Sequence, residues 1–289
     1  MTLFRKAANR ILGLLRSIAG RVVLAANRLR YHLFFKSIPD DGEFCNSKRI
    51  RVYKKPANGR KHRPYLAIIR CGANHRLIDD RTERKFDIAL NFYASPNDRD
   101  LLDGCEYSYS GGINKYKAAH QFLDKALLEK FRGFIFLDDD LEMTYSALNG
   151  FLEYCEANQF KLAQPSLTRD SFYSHGYLLQ ASRSGWRPVP MVEVMCPYFS
   201  SAALRVALNT FDLSYSTWGL DFIWPRLLAL EPVVVDGFTI KHSRPVGGPE
   251  TDSPFYVYMR GIGVSPGKEK YRLQNLPDEK VRALAPRKA

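Results

Sequence analysis

The sequence predicts an α/β domain in which helices flank a mainly parallel sheet, preceded by an N-terminal amphipathic helix. Two observations lead to this fold class: short apolar runs of strand length alternate with segments of helical periodicity, and an Arg-rich segment without acidic residues precedes them. Of the 289 residues, 45% are hydrophobic and 25% are charged, which is ordinary globular composition and excludes a generally disordered chain.

The formal net charge of +13 is concentrated near the start of the chain. Residues 1–64 hold 16 of the 43 Lys and Arg residues but only 3 of the 30 Asp and Glu residues. The excess indicates an anionic partner, but its location excludes a uniformly basic nucleic-acid-binding domain, so no nucleic acid partner is expected. The five cysteines contain no C-x-x-C pair, which argues against a disulfide framework and favours a reducing compartment.

Residues 1–35 are predicted to form an amphipathic basic helix. At about 100° per residue, the apolar side chains of residues 3–34 share one face, arginines occupy the other, and no acidic residue occurs before Asp40. This pattern is typical of a helix in the interface of an anionic membrane. A helix packed on the protein's own core and a mitochondrial-type transit peptide are the alternatives. Arginines interrupt every apolar run, so a transmembrane helix is not predicted.

The remaining elements follow in order. Residues 36–64 are predicted to form a basic linker with one short strand at Ile50–Tyr53, residues 65–260 an α/β domain and residues 261–289 a C-terminal tail. The predicted strands of the domain are Tyr65–Arg70, Phe86–Tyr93, Cys105–Tyr109, Gly133–Leu137, Val192–Met195 and Val233–Ile240. The predicted helices are Asn114–Lys130, Thr144–Asn158 and Ser200–Asn209. Their alternation predicts a sheet covered on both sides.

Three consecutive carboxylates, Asp138, Asp139 and Asp140, directly follow a predicted buried strand. Ligands of open α/β sheets bind outside the carboxyl ends of strands, and clustered carboxylates there need a cation between them. Mg²⁺ or Mn²⁺ prefers such oxygen ligands and can bridge to a diphosphate. The alternative is a solvated acidic turn that caps a helix beginning near Thr144.

Two later segments carry further candidates. Asp221 follows a Trp-Gly turn before an apolar run, where it is either a helix N-cap or a carboxylate placed for base catalysis. His242 ends a strand and is followed by Arg244, so the pair could bind metal or phosphate, although a lone His is more often structural.

Weaker candidates come from a Gly turn, a strand and the tryptophans. Lys115 follows Gly111-Gly112 at a helix start, where it could contact phosphate or belong to an ordinary turn. Glu193 lies in an apolar segment, so its carboxylate needs a partner. Trp186 and Trp218 could stack on sugar faces or simply pack.

The motifs FIFLDDDLEM, LAQPSL, VEVMCPYFSSAAL, STWGLDF and VVVDGFTIKHSRPVGG occur in this order over residues 65–250. As a series they resemble the glycosyltransferase-like domain-of-unknown-function family 707. The resemblance implies a GT-A fold, a D-x-D metal site on Asp138 and Asp140, an acceptor-side acid at Asp221, and a metal- or diphosphate-contacting His242. Lys115 also fits the resemblance, because the family usually has a Lys followed by an aromatic residue at this position, and Tyr116 follows Lys115 here. The chain departs from the family where members often have W-D-E-D and this sequence has L-D-D-D.

The function expected from residues and resemblance together is a metal-dependent glycosyltransferase. It would use Mn²⁺ or Mg²⁺ to move a sugar from a nucleoside diphosphate sugar to a glycan or lipid-linked acceptor, from a cytoplasmic position on the inner face of a membrane. A nucleotidyl or phosphoryl transferase and a non-enzymatic membrane- or nucleic-acid-binding protein are the alternatives. The expected site comprises a base at Asp221, metal ligands Asp138, Asp140 and His242, donor-side Asp139, Lys115 and Arg244, and acceptor-side Trp218, Gly219 and Glu193.

Overall fold

The structure is a computed structural model that describes residues 49–286 except 58, 73, 94–98 and 246–258. The amphipathic helix predicted for residues 1–35 lies outside the described residues, as does the first part of the basic linker. Within the described ranges, every helix is too short or too polar to span a lipid bilayer.

The described residues include eleven strands and eight α-helices whose two ends are both described. The strands are β1 Arg51–Lys54, β2 Tyr65–Cys71, β3 Leu77–Ile78, β4 Phe86–Phe92, β5 Tyr107–Ser110, β6 Gly133–Asp138, β7 Leu141–Thr144, β8 Leu162–Leu167, β9 Trp186–Pro188, β10 Tyr198–Ser200 and β11 Val233–His242. The helices are α1 Arg99–Asp103, α2 Lys115–Phe122, α3 Lys125–Lys130, α4 Tyr145–Ala157, α5 Ser201–Ala207, α6 Leu220–Leu228, α7 Pro266–Gln274 and α8 Asp278–Arg282. Two 3₁₀ helices, Gly176–Leu178 and Leu208–Thr210, complete the set.

The sheet is mixed, so the prediction of a mainly parallel sheet is wrong. Its strand order is β1-β5-β4-β2-β6-β10-β8-β11-β7-β3, with β9 paired to β11. The strands β5, β4, β2 and β6 are parallel neighbours, as are β8 and β11. The short strand β10 runs antiparallel between β6 and β8, and β1, β7 and β9 also form antiparallel pairs. The strands β7, β9 and β10 were not predicted, because they lack the long apolar runs of the parallel ones, whereas β1 corresponds to the short strand predicted at Ile50–Tyr53.

Two predicted elements differ from the structure in instructive ways. The predicted helix Asn114–Lys130 is two helices, because Asp124 caps the second one by accepting the Leu127 N–H at 2.8 Å. The predicted strand Val192–Met195 is a turn. Side chains bond to its backbone groups, as the 2.7 Å bond from Glu193 N to the Gln164 side chain illustrates. The Met195 carbonyl also accepts the Asp138 N–H at the end of β6 at 3.1 Å, so the segment contacts the sheet without being a strand of it.

An aromatic cluster between the sheet and its helices forms the centre of the core. It joins Phe136 of β6 and Phe199 of β10 to Tyr116 of α2, Trp224 of α6 and Phe211, all fully buried. Their ring centroids lie 4.8 Å apart for Tyr116 and Phe211 and 5.0 Å apart for Phe199 and Trp224. Each such ring removes on the order of 150–250 Å² from water, so the cluster fixes α2 and α6 against the sheet.

Two arginines of the predicted linker form ion pairs with a buried carboxylate of the domain. Glu106 is 4% exposed, and its Oε1 accepts hydrogen bonds from Arg60 at 3.0 Å, Arg63 at 3.1 Å and Arg84 at 3.0 Å. Burial raises the pKa of this carboxyl, but the Ile88 N–H and the arginines outweigh it and hold the pKa below its ordinary value. The linker segment around Arg60 and Arg63 is therefore anchored to the domain.

The segment predicted as a C-terminal tail contains the helices α7 and α8, both packed against α6. Leu273 of α7 is 1% exposed and Val281 of α8 is fully buried, so both belong to the core. Gly219, just before α6, has a φ of +95°, and a Cβ there would lie only 2.9 Å from the Leu273 Cβ. A glycine is required at this position by both its backbone conformation and the approach of α7.

We expect Leu273→Ala to lower the free energy of unfolding by about 2–5 kcal/mol, because it leaves a cavity between α7 and Gly219. Tyr271→Ala on the same helix is the control, since Tyr271 is 71% exposed. Urea unfolding of both variants measures the difference. Equal stability of the two variants would show that α7 is not part of the cooperative fold.

Candidate active site

The candidate site lies at the carboxyl edge of the sheet, where β6 ends at Asp138 and β11 ends at His242. The turn that contains Asp139 and Asp140 leads from β6 into β7, and β7 pairs with β11 so that Leu141 lies opposite His242. This pairing brings the acidic turn and the segment from His242 to Arg244 together, although about a hundred residues separate them in the chain.

Asp138 forms an ion pair with a buried lysine. Lys115, the first residue of α2, is 4% exposed, and its Nζ lies 2.9 Å from Asp138 Oδ1 and 3.1 Å from the carbonyl oxygen of Met195. The preceding Gly112 has a φ of +84°, and a Cβ there would lie 2.3 Å from the Ala118 Cα. The Gly turn therefore packs directly against α2 itself, and Lys115 at the start of this helix is directed at the carboxylate.

Asp139 is held by both backbone and side chains. Its Oδ2 accepts the Gly72 N–H at 3.1 Å and the Tyr93 hydroxyl at 2.6 Å. Its Oδ1 forms an ion pair with Arg244. These contacts fix the acidic turn to the end of β2, so Asp139 has a clear structural role.

Asp140, the third carboxylate of the acidic turn, contacts both Arg244 and His242. Its Oδ2 lies 3.0 Å from Arg244 Nε and 3.3 Å from His242 Nε2. Burial raises the pKa of Asp140, but the hydrogen bond and charge of His242 and the charge of Arg244 outweigh it, so the pKa lies below its ordinary value. Burial lowers the pKa of His242, but its contacts with Asp140 outweigh this effect and the pKa is raised. His242 Nδ1 donates to the Phe172 carbonyl at 2.9 Å, which directs Nε2 toward Asp140.

The predicted metal ligands Asp138, Asp140 and His242 lie at this edge, but in the described part of the chain no group of three or more His, Cys, Asp or Glu side chains is arranged to hold a metal ion. Lys115 and Arg244 instead balance the carboxylates. One observation nevertheless fits a cation, because Asp140 Oδ1 is buried and has no hydrogen-bond partner. Burying a carboxylate oxygen without a hydrogen-bond partner costs free energy unless a ligand supplies the missing contact.

A second pair of acids, Glu193 and Asp221, lies beyond His242. Glu193 is 7% exposed and Asp221 is 8% exposed. Burial, followed by the charge of Asp221, raises the pKa of Glu193 to about 7, and burial also raises the pKa of Asp221 to about 6. Asp221 Oδ1 accepts the N–H groups of Gly219 and Phe222, each at 3.1 Å, while Glu193 Oε2 has no partner. Asp221 thus lies in the first turn of α6 and is not its N-cap, a position that Gly219 occupies.

Helix α7 fixes the loop that leads into α6 and therefore positions Asp221 in the first turn of that helix. Glu269 accepts hydrogen bonds from Ser216 N at 2.8 Å and from Tyr215 N at 3.0 Å. Lys270 lies close enough to Asp221 and Glu193 that its charge lowers the pKa of both. Trp218 in the same loop is half-buried.

Glu269 and Lys270 were not predicted as site residues, because they lie in the segment predicted as a C-terminal tail. Residues 172–177, which line this side of the edge, were not predicted either, although their aromatic content after LAQPSL is a usable signal. By contrast, Trp186 lies on β9 against the opposite end of β11, beside Val235.

We expect the stability of the protein to fall as the pH rises from 4.5 to about 7, because the unfolded state loses the Glu193 proton at a lower pH than the folded state does. Glu193→Gln should reduce the difference in unfolding free energy between pH 5 and pH 8 by about 1–3 kcal/mol. Urea unfolding at pH 5 and pH 8 measures it, with the exposed Glu129→Gln as control. An unchanged slope in Glu193→Gln would contradict the raised pKa.

No protein-family model matches the sequence, and no curated protein matches it. Matching solved structures include GalNAc-T7 with UDP, GalNAc and Mn²⁺, at 11% identity and a TM-score of 0.44 over 76% of this chain and 54% of that one. They also include TarS of S. aureus, at 9% identity and a TM-score of 0.44 over 76% and 42%. Residues 1–349 of TarS match at 10% identity and a TM-score of 0.43 over 76% and 69%. These neighbours are GT-A glycosyltransferases, and the chain spans about half the length of the first two.

Proposed function

We propose that this protein is a metal-dependent glycosyltransferase that uses a nucleoside diphosphate sugar. The observation that carries the proposal is the buried, unpartnered Oδ1 of Asp140 at a sheet edge that also holds Lys115, His242 and Arg244. The edge combines carboxylates for a cation with cations for a diphosphate, which is the charge pattern that a nucleotide-sugar donor needs.

On the donor side, Asp138, Asp140 and His242 would hold Mn²⁺ or Mg²⁺. The metal would act as a Lewis acid that stabilises the leaving diphosphate. Arg244 is half-exposed and pairs with Asp139 and Asp140, so it is available to move onto a phosphate when a cation takes its place on the carboxylates. Lys115 keeps Asp138 oriented and adds positive charge, and Asp139 keeps the turn fixed to β2.

On the acceptor side, Asp221 would remove the proton from the attacking hydroxyl. The two backbone N–H groups on Oδ1 orient this carboxylate, and a pKa of about 6 leaves it ionised at neutral pH yet basic enough to accept a proton. Glu193, Trp218 and Gly219 complete this side of the site, with Gly219 allowing α7 to approach the loop.

The acceptor is proposed to be a glycan or a lipid-linked saccharide. For a lipid-linked acceptor, residues 1–35 would hold the enzyme on the inner, anionic face of a membrane, as their basic and amphipathic sequence suggests. The cytoplasmic location and the membrane contact both belong to this proposal.

We expect the protein to bind a nucleoside diphosphate sugar more tightly with Mn²⁺ than without it, and we expect Asp138→Asn/Asp140→Asn to remove that difference. Thermal shift and calorimetric titration with a panel of nucleotide sugars measure it. Asp124→Asn is the matched control, because Asn also caps helices well. Release of pyrophosphate from a nucleoside triphosphate, without any response to nucleotide sugars, would instead indicate a nucleotidyl transferase.

We expect Asp221→Asn to lower kcat by about 10²–10⁴-fold, because it removes the base that takes the acceptor proton. The Kd for the donor should change little, since Asp221 lies on the acceptor side. In the wild type, kcat should rise with pH through about 6 as Asp221 ionises. Steady-state rates over pH 5–8 measure both effects, and full transfer activity in Asp221→Asn would rule out this role.

A further inference from the structure

Residues 172–177, termed the aromatic loop, expose three large rings at the acceptor side of the edge. Phe172 is 45% exposed, Tyr173 is 49% exposed and Tyr177 is 36% exposed. A single exposed ring is common on protein surfaces, but three within six residues concentrate exposed aromatic surface in one segment, as a ligand-binding surface does.

Hydrogen bonds to His242, the last residue of β11, hold the start of the aromatic loop. Phe172 N donates to the His242 carbonyl at 3.0 Å, and the Phe172 carbonyl accepts from His242 Nδ1 at 2.9 Å. His242 N also donates to the Ser171 hydroxyl at 3.1 Å. The backbone that carries the exposed Phe172 ring is therefore fixed to the end of β11, which lowers the entropic cost of binding a ligand against this ring.

The aromatic loop lies next to the carboxyl group of Glu193, with which Ser174 and Tyr177 interact. The charges of Glu193 and Asp221 both act on Tyr177, whose phenol has a pKa raised to about 12, mainly by burial. The groups that act on Glu193 are Asp221, His242, Ser174 and Lys270, with Ser174 contributing a side-chain hydrogen bond from the loop itself. Glu193 Oε2 remains without a partner among these groups.

We propose that the aromatic loop and Glu193 form a saccharide subsite for the acceptor, in which Phe172 or Tyr177 stacks on the C–H face of a pyranose ring and Glu193 Oε2 accepts one of its hydroxyl groups. This inference rests on the proposed function, since it names the acceptor of that site. A saccharide fits better than a hydrocarbon chain because a chain would leave the buried carboxyl oxygen unpaired. A pyranose offers both an apolar face and hydroxyl donors.

Saturation-transfer NMR of the full chain with methyl pyranosides of gluco, galacto, manno and N-acetylglucosamine configuration tests the proposal. We expect at least one to receive saturation at its ring protons, and we expect Tyr177→Ala and Phe172→Ala to weaken its binding about tenfold or more. Trp186→Ala is the matched control, because Trp186 is 48% exposed and lies on β9, which pairs with the half of β11 far from His242. Far-ultraviolet circular dichroism confirms that each variant is folded.

The outcomes separate this inference from the proposed function. Saccharide binding that is lost in Tyr177→Ala, while nucleoside diphosphate binding with Mn²⁺ is kept, supports both. Saccharide binding without any nucleotide-sugar binding would keep the subsite and overturn the transferase. Failure of all four pyranosides, or equal losses in Trp186→Ala and Tyr177→Ala, would overturn the subsite.

Discussion

A single buried ammonium group joins the parts of the fold on which the site depends. Lys115 connects the start of α2 to Asp138 at the end of β6 and to the Met195 carbonyl. The next residue, Tyr116, extends this link, because its hydroxyl donates to the Val194 carbonyl at 2.6 Å. A charge enclosed in this way is tolerated only when it is paired, so the positions of the helix, the strand and the turn constrain one another.

The two sets of acids at this edge have opposite electrostatic surroundings. Asp140 is surrounded by His242 and Arg244, which hold its pKa low and keep the carboxylate ionised. Glu193 and Asp221 have little compensating charge, so burial raises the pKa of both. At this edge Asp140 therefore keeps a permanent negative charge, whereas the pKa values of Glu193 and Asp221, and that of Asp138, are raised mainly by burial. A carboxylate that stays ionised near carboxyls that can exchange a proton suits a reaction that stabilises a leaving group and deprotonates a nucleophile.

The sequence was informative where one strand or turn carried the signal. Runs such as YLAIIR and GFIFL predicted buried strands, and the Asp138–Asp140 turn was correctly placed at a strand end. The mixed sheet and the proximity of the Glu193 and Asp221 carboxyl groups could not be predicted, because they depend on contacts between segments far apart in the chain. The role of α7 was hidden for the same reason, since Glu269 stabilises backbone N–H groups about fifty residues away.

The contact between α7 and the loop before α6 bears on how the protein matures during synthesis. Until residues 266–274 have left the ribosome, nothing supplies the Glu269 carboxylate to the N–H groups of residues 215 and 216 or the Leu273 side chain to Gly219. The edge at β6 and β11 can assemble earlier, because its residues precede this helix. The nascent chain would therefore complete the edge formed by β6 and β11 first and acquire a correctly placed Asp221 last.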